Sequence, residues 1–585
     1  MAFSNSLDHP HGCGANSFLR GACCLLLAAT AVCAQDWPQW GLNSRHSGAA
    51  PVAAQKPDQV RGQFISDTLA GQIQQDTGGE LLVHYMTPLV DGDEVFTMSR
   101  GESRWVSCRG NLPPCGTALW GQMEWGVTKL RFVDGRLEKQ WTAISSWVPA
   151  PDNGSGWEPV FHPALSGGHL FVPGGSGMVM KLDRRTGELV DCFEPFGDDN
   201  PNYFVTSPLT IDAEGAIYYT VLKLDPAEPW TKDVAEAFLV KIDPAGDPHT
   251  VSFADLVPGA PVDGCTTAFA LDSLPWPPAP AARPPVARCG SQRPGLNAAP
   301  AVGPDKTIYA ISRAHFNSAY GYLVAVNPDL TPKWSAPLRD RLNDGCDVLL
   351  PPSGTLGGCR AGSIRGVDPA TNQMPAGRVM DQSSASPVIA PDGSIFYGSA
   401  TRYNYSRGHL FHFSATEDFL GAYDFGWDIT PAIYEHDGTW SVILKDNFYP
   451  VGSYCGVPGF CGQGEPRYQL TSLTADLVPE WTYQNTNDQA CMRLDDGSLS
   501  CQPWSDGFEW CVNMVAVDRD GMVYANSEDG NVYAIDRTGN MVGRAFLSKA
   551  IGAAYTPLAI GPEGRVYTQN NGTLFVVGEP PGVGP

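Results

Sequence analysis

A short unit recurs eight times along this 585-residue chain, and the repeat constrains the fold more than any other feature. Each unit begins with a small residue and a proline, continues as a short apolar strand, turns at acidic or glycine residues and returns as a second strand. The clearest copies are SPLTIDAEGAIYYT, APAVGPDKTIYAIS, SPVIAPDGSIFYGS and TPLAIGPEGRVYTQ. Weaker copies begin at Pro88, Pro163, Pro431 and Met514. Repeats of this kind bury their apolar faces only by packing against their neighbours.

Each unit continues with two further strands. The third, as in MVMKLD or YLVAVN, alternates apolar and polar residues and is rich in β-branched and aromatic types. The fourth carries two apolar residues four positions apart, such as Leu137 and Trp141, which we expect on one strand face. The eighth unit reaches Pro585 without such a strand, but Val60 and Phe64 show the same spacing near the start of the chain.

Eight four-stranded units whose missing last strand comes from the N-terminal region predict an all-β, eight-bladed β-propeller. Residues near 58–66 are the predicted closing strand, and closure removes the exposed sheet edges that invite aggregation. The preceding segment QDWPQWGLNSRHSG, residues 35–48, is expected on the outside or across one face of the disc. We predict that residues 35–585 form this single domain.

Residues 1–34 have the pattern of a secretory signal peptide. Arg20 precedes an apolar run of 12 residues, and small residues follow up to Ala34. The run is too short to span a bilayer, so we predict cleavage near Ala34, no transmembrane anchor and a secreted or periplasmic protein. The formal net charge of −24 argues against a nucleic-acid partner, because no basic run is present to contact phosphates.

Twelve cysteines remain after the leader, and an even number in an exported chain predicts disulfides. They are Cys108, Cys115, Cys192, Cys265, Cys289, Cys346, Cys359, Cys455, Cys461, Cys491, Cys501 and Cys511. The neighbours Cys108/Cys115, Cys346/Cys359, Cys455/Cys461 and Cys491/Cys501 are candidate local pairs, and Cys265/Cys289 could close a proline-rich loop. Cys192 and Cys511 would then pair across a distance. The sequence alone leaves the connectivity open.

Most of these cysteines lie in insertions between strands two and three of a unit or after strand four. In an antiparallel blade both connections emerge on the same face, so the sequence predicts one face with long, disulfide-stapled loops. Nine of the sixteen tryptophans also lie there. As candidate partner-binding residues we take Trp105, Trp147, Trp157, Trp504 and Trp510, because exposed aromatic rings suit recognition of a protein or glycan. The alternative is that they form small cores beneath the loops.

The motifs of the chain resemble those of the secreted PQQ-like repeat propellers, which are named after pyrroloquinoline-quinone dehydrogenases. The matching features are Trp37-Pro38 followed by His46-Ser47-Gly48, the segment KLDRRTGELV at 181–190, and AIDRTG at 534–539. The resemblance implies an eight-bladed fold. It also implies two kinds of function, since the family includes calcium- and PQQ-dependent dehydrogenases of alcohols or sugars and propellers that assist outer-membrane protein assembly.

The dehydrogenase features of that family are not found in this sequence. Adjacent cysteines, which stack on the quinone in the alcohol-oxidising members, occur here only as Cys23-Cys24 in the leader. We find no match to the calcium ligands or to the catalytic Asp segment. Asp381 follows Arg378 closely enough to suggest a base, but one Asp near one Arg is more often a salt bridge. The Asp-Gly turns carry too few oxygen ligands for calcium.

We therefore predict no catalytic residue, no metal ligand and no cofactor. The expected function is that of an exported, non-catalytic binding or scaffold module, whose loop-bearing face contacts a protein or glycan in a larger envelope or extracellular assembly. The alternative is a PQQ- and calcium-dependent dehydrogenase of alcohols or sugars.

Overall fold

The computed structural model describes residues 36–77, 79, 81, 83–100, 121, 123–151, 158–197, 200–266, 285–339, 341, 377–401, 407–426, 429–448, 467–510, 512–551 and 557–580. The predicted leader, residues 1–34, lies outside these ranges. Helix is scarce: α-helices span Ala70–Thr77 and Phe253–Leu256, and a 3-10 turn spans Gly175–Gly177. Within the described ranges no helix is long and apolar enough to cross a membrane.

Eight antiparallel sheets form the blades, and in the first seven the strands follow chain order from the first strand outward. Blade 1 contains Leu89–Asp91, Glu94–Arg100, Trp125–Val133 and Arg136–Ser145. Blade 2 contains Ala164–Ser166, His169–Pro173, Val179–Asp183 and Leu189–Phe193. Blade 3 contains Tyr203–Val205 with Thr210–Ile211, then Ile217–Lys223, Glu236–Ile242 and Pro248–Ser252. Blade 4 contains Gln292–Pro294 with Ala301–Val302, then Ile308–Ala314, Gly321–Val326 and Pro332–Pro337.

The remaining four blades repeat this order. Blade 5 contains Gly377–Arg378 with Val388–Ile389, then Ile395–Thr401, Arg407–Phe413 and Phe419–Gly426. Blade 6 contains Ala432–His436, Thr439–Phe448, Arg467–Thr474 and Pro479–Gln484. Blade 7 contains Ala516–Val517, Val523–Asn526, Asn531–Ile535 and Met541–Phe546. Blade 8 contains Ala559–Ile560, Val566–Asn570 and Thr573–Gly578, and its fourth strand is Gln59–Ile65.

The last blade is closed as predicted. The strand Gln59–Ile65 runs antiparallel to Thr573–Gly578, with Val60 opposite Val577 and Phe64 opposite Leu574. The eight-bladed architecture and the closing strand near residues 58–66 are therefore confirmed.

The fourth strands differ from the prediction in one respect. In seven blades this strand carries one extra residue that has no partner on the third strand. In blade 1, Leu137 lies opposite Phe132, whereas Trp141 lies opposite Lys129. Phe132 and Lys129 are three apart on a regular strand, so the bulge places Leu137 and Trp141 on opposite faces. The expectation that the two residues share one face was wrong.

In blade 1 the bulge lets the pair connect two neighbouring cores. Leu137 packs in the apolar cluster shared with Phe132 and Val577 of blade 8, while Trp141 packs on the blade 2 side. There the Trp141 ring lies against Gly187, where an added Cβ would be 2.7 Å from Cδ2 of the ring. The same contact recurs between Phe193 and Gly246, and between Trp481 and Gly539. An aromatic ring of one blade thus packs on a glycine turn of the next.

The N-terminal segment 36–56 winds around the axis and meets the first strands of blades 1 to 7 in turn, and then the first turn of blade 8. The contacts, in blade order, are Trp37 with Val90, Pro38 O with Leu165 N, the Gln39 amide with Ile211, Ser44 O with Val302 N, Arg45 O with Ile389 N, Ser47 O with Ile433 N, Gly48 O with Val517 N, and Gln55 N with Gly564 O. Of the two expected placements, this path corresponds to the one across a face and not to the one on the outside of the disc, and the blades satisfy the polar backbone groups of the segment.

The residue types of this segment suit its path. Left-handed backbone occurs at Gly41 and Gly48, with φ of +60° and +65°, and also at Leu42 and His46. At Gly41 an added Cβ would lie 2.8 Å from His46, so only glycine fits this tight approach. The Trp40 and His46 side chains are buried and help to fill the axis.

Candidate partner-binding face

The long connections leave the blades on one face, and we call it the insertion face. They follow strand two, as in 224–235 of blade 3, or strand four, as in 253–266 and 485–510. The opposite face carries the short turns between strands one and two and between strands three and four. The N-terminal segment lies toward that second face, where each first strand approaches its short turn.

Two predicted disulfides are present. Cys265 and Cys289 are bonded, with Cα atoms 5.4 Å apart, beside a small ribbon formed by Cys265–Thr266 and Val286–Ala287. Both cysteines are buried with Ala314 and Tyr320. The loop that they close, 267–284, lies outside the described residues. Disulfides are consistent with an exported protein.

The second disulfide, Cys491–Cys501, joins opposite positions of the hairpin formed by Gln489–Arg493 and Leu499–Pro503, with Cα atoms 4.0 Å apart. The hairpin is anchored to the connection after blade 7. Arg493 N donates to Ser548 O at 2.8 Å, and Ala550 N donates to Cys491 O at 2.8 Å. The Arg493 guanidinium adds bonds to the carbonyls of Phe546 and Leu547. We call residues 489–503 the stapled hairpin.

The stapled hairpin presents apolar side chains to solvent. Met492 and Leu499 are each 47% exposed, and Leu494 is 41% exposed. Leu499 lies opposite Arg493 on the disulfide side, and Met492 lies on the other side. Exposed aliphatic side chains on a rigid projection are a feature of interaction surfaces.

The other cysteine predictions fall mostly outside the described residues. Cys192 is disulfide-bonded, but its predicted partner Cys511 is not described, so that pairing stays a prediction. The remaining candidate pairs, which also stay predictions, are Cys108/Cys115, Cys346/Cys359 and Cys455/Cys461.

Two of the tryptophans predicted to bind a partner are core residues. Trp147 is 3% exposed, its Nε1 donates to Val205 O at 3.0 Å, and its ring meets Trp125 edge to face at 5.1 Å. Trp510 is fully buried, with its ring 5.2 Å from that of Tyr533. Their placement matches the alternative in which tryptophans form small cores beneath the loops.

Trp504 is half-buried. Its Nε1 donates to Gly507 O at 3.0 Å, and its ring stacks near Phe508. Trp105 and Trp157 lie outside the described residues. The exposed apolar side chains of the stapled hairpin are instead Met492, Leu494 and Leu499, which sequence reasoning missed. The signal was the alternating segment CMRLDDGSLSC, whose Asp-Gly turn lies midway between the two cysteines.

Asp381, the one candidate base in the sequence, is held in a buried salt bridge. Arg293 binds both carboxylate oxygens, at 2.9 and 2.6 Å, and Arg313 adds a third contact at 3.0 Å. Burial opposes ionisation, but the two guanidinium groups outweigh it and lower the pKa of Asp381 to about 2. The salt-bridge interpretation is confirmed, with Arg293 and Arg313 as partners of Asp381.

Two acidic residues meet beneath the stapled hairpin. Glu528 N donates to Glu509 O at 2.9 Å, and Asn447 Nδ2 donates to the Glu509 carboxylate at 3.3 Å. Burial, followed by the charge of Glu509, raises the pKa of Glu528. This carboxyl group therefore resists ionisation.

The alternative function, a PQQ- and calcium-dependent dehydrogenase, requires a pocket that holds the quinone and ligands that bind calcium. On the axis, the cavity lined by Trp37, Trp40, Met514 and Leu558 is too small to hold a water molecule. Within the described part of the chain, no three His, Cys, Asp or Glu side chains are grouped so as to hold a metal ion. The prediction of no cofactor therefore remains a prediction.

No protein-family model and no curated protein sequence matches this chain. Solved structures do resemble it. A europium-containing methanol dehydrogenase is 10% identical, with a TM-score of 0.47, over 91% of this chain and 89% of the other. The quinohemoprotein alcohol dehydrogenase from Comamonas testosteroni is 12% identical, with a TM-score of 0.48, over 94% and 82%. BamB from Moraxella catarrhalis is 12% identical, with a TM-score of 0.36, over 83% and 99%.

These likenesses concern the fold alone. The architecture itself rests on the strand pairing, which gives eight four-stranded blades closed by an N-terminal strand. The chain is an eight-bladed β-propeller closed by its own N-terminal strand.

Proposed function

We propose that this chain is an exported, non-catalytic propeller that binds a protein through its insertion face. The stapled hairpin is the observation that carries the proposal. A glycan partner is less well supported, because the exposed side chains of the hairpin are aliphatic and sugars favour aromatic platforms.

The hairpin is suited to binding because it is already ordered. The disulfide links its two strands, and Arg493 ties it to the backbone after blade 7. A pre-ordered surface loses less conformational entropy on association than a flexible loop does. Burial of Met492, Leu494 and Leu499 against a partner would then stabilise the complex by the hydrophobic effect.

The test is a combined variant, M492S/L494S/L499S. The control, L189S/V190S/M541S, removes three apolar side chains of similar exposure from the outer strands of blades 2 and 7. A native partner is first identified by cross-linking to the exported protein and then purified. We expect the hairpin variant to bind it about 30-fold more weakly, as for loss of an interface hot spot. The control should bind normally, and both should melt near the wild-type temperature.

Two results would contradict the proposal. One is equal binding by the hairpin and control variants. The other is dye reduction with alcohols or aldoses after the pure protein is incubated with PQQ and calcium, which would establish the dehydrogenase alternative.

A further inference from the structure

A polar pocket lies between blades 6 and 7 on the short-turn face, opposite the insertion face. Its volume is about 350 Å³. Blade 6 contributes Tyr434, Ser441, Glu480 and Trp481, and the last turn of blade 7 contributes Arg537. The volume is within the range of about 300–1,000 Å³ that is usual for small-molecule sites.

A chain of hydrogen bonds crosses the pocket and fixes where its protons lie. His436 Nδ1 lies 3.2 Å from Asp437 Oδ2 and 3.3 Å from Arg537 Nη2. Ser441 gives its only proton to Glu480, so His436 Nε2 carries a proton and donates to Ser441 Oγ at 2.8 Å. Ser441 in turn donates to Glu480 Oε2 at 2.7 Å.

This direction argues against a hydrolase site, although Ser441, His436 and Asp437 are arranged like a serine triad. A triad histidine must accept the serine proton. Here Nε2 of His436 already bears a proton, and the Ser441 hydroxyl is directed to Glu480. The arrangement is that of a binding site with fixed donors and acceptors.

Glu480 keeps one oxygen for a ligand. Ser441 and Ser472 both donate to Oε2, each at 2.7 Å. Among the described residues no hydrogen-bond donor reaches Oε1. Arg537 uses Nη2 for Asp437 and His436, which leaves other N–H groups of its five for a ligand.

The charges of the pocket favour a neutral ligand. An anion would meet the Glu480 and Asp437 carboxylates, and a cation would meet Arg537. A hydroxyl group suits both, because it can donate to Glu480 Oε1 and accept from Arg537. Trp481 and Tyr434 add aromatic surface for the C–H groups of a ring or chain.

We propose that this pocket binds a neutral sugar or polyol. The site is on the opposite face from the stapled hairpin, so it is independent of the proposed protein partner.

Saturation-transfer NMR with the full-length exported protein tests the proposal, with glucose, galactose, mannose and sorbitol as probes. We expect transfer to at least one probe. The variant E480Q should weaken its binding about tenfold, as for loss of a hydrogen bond to a charged group. R537K keeps the positive charge but loses the fork of donors, and should weaken binding as well. The control E435Q changes an exposed carboxylate that pairs with Arg45 and should bind normally.

The proposal is overturned if none of the four probes shows transfer. It is also overturned if a folded E480Q and a folded R537K both bind as the wild type does. Preferential transfer to acetate or tetramethylammonium would instead identify a charged ligand. Thermal melting of each variant verifies that it is folded.

Discussion

His46 shows how closely one residue of the N-terminal segment 36–56 is constrained. Its ring is fully buried, with Nδ1 2.8 Å from Pro387 O and Nε2 3.3 Å from Thr210 Oγ1. A carbonyl only accepts, so Nδ1 carries the proton and Nε2 accepts from the threonine. The neutral ring thereby links blades 3 and 5. Burial lowers its pKa from 6.5 to about 4.

This shift predicts a loss of stability in mild acid. Below pH 6.5 the unfolded chain protonates His46 and the folded chain does not, so unfolding becomes easier as the pH falls toward 4. The slope from one such group is about 1.4 kcal/mol per pH unit. We expect H46Q to be less stable than wild type at neutral pH but to lose less stability between pH 6.5 and 4. Urea unfolding of wild type and H46Q across that interval measures their free energies of unfolding. Equal slopes of this free energy against pH would contradict the assignment of a neutral, buried His46 ring.

The Asp381 salt bridge acts in a separate interval. The pKa of Asp381 is lowered in the folded chain, so the stability that its salt bridge contributes is complete above pH 3.8 and is lost as the pH falls toward 2. The effect of His46 can therefore be measured before this salt bridge is protonated.

The raised pKa of Glu528 predicts that folding stability depends on pH in the direction opposite to the effect of His46. Its folded pKa is raised, so above pH 4.5 the unfolded chain loses a proton that the folded chain keeps, and stability falls as the pH rises. A neutral glutamine removes this cost. We expect E528Q to raise the melting temperature in mildly alkaline buffer more than at pH 4.5. The exposed control E563Q should show no such difference, and an equal response of the two variants would refute the prediction.

At the scale of the element, the contact between a fourth-strand ring and a glycine turn is the feature to test. Gly187 has φ of +76° and lies against Trp141, whereas Gly215 has φ of +90° and open space around its Cα. Alanine at either position incurs backbone strain of about 1–2 kcal/mol. G187A also forces the ring to move, which adds about 1–3 kcal/mol. Chemical denaturation of both variants gives the contribution of the ring contact as the difference between their losses of stability. Equal losses would show that the Trp141 ring moves aside at no cost in free energy.

The elements also show what could be predicted from sequence. Two-residue alternation and recurring turns are local signals, so eight blades, the closing strand and two disulfides were predicted correctly. The bulge in the fourth strand was not predicted, because an unpaired residue can be recognised only when the pairing with the neighbouring strand is known. Leu137 and Trp141 were therefore assigned to one face. The burial of Trp147 and Trp510 depends on rings distant in sequence, which spacing does not reveal.

At the scale of the whole molecule, the N-terminal segment 36–56 holds the ring together. Residues 36–56 bond to the first strands of blades 1 to 7 and then to the first turn of blade 8, and the closing strand follows directly. Their path was unpredictable from residues 35–48 alone, because each contact is with a different and distant repeat. Closure therefore depends on a segment that belongs to no blade.

Deleting residues 36–56 while keeping the closing strand from Pro57 tests this role. Each first strand would lose its partner on the axis, and the buried Trp37, Trp40 and His46 would leave a large cavity. We expect calorimetry to show a lower and broader transition, because blades without a common axial partner unfold less cooperatively. A synthetic peptide of residues 36–56 should restore part of the loss, since it binds only the folded ring. An unchanged, sharp transition in the deletion would show that the blades close the ring without the segment.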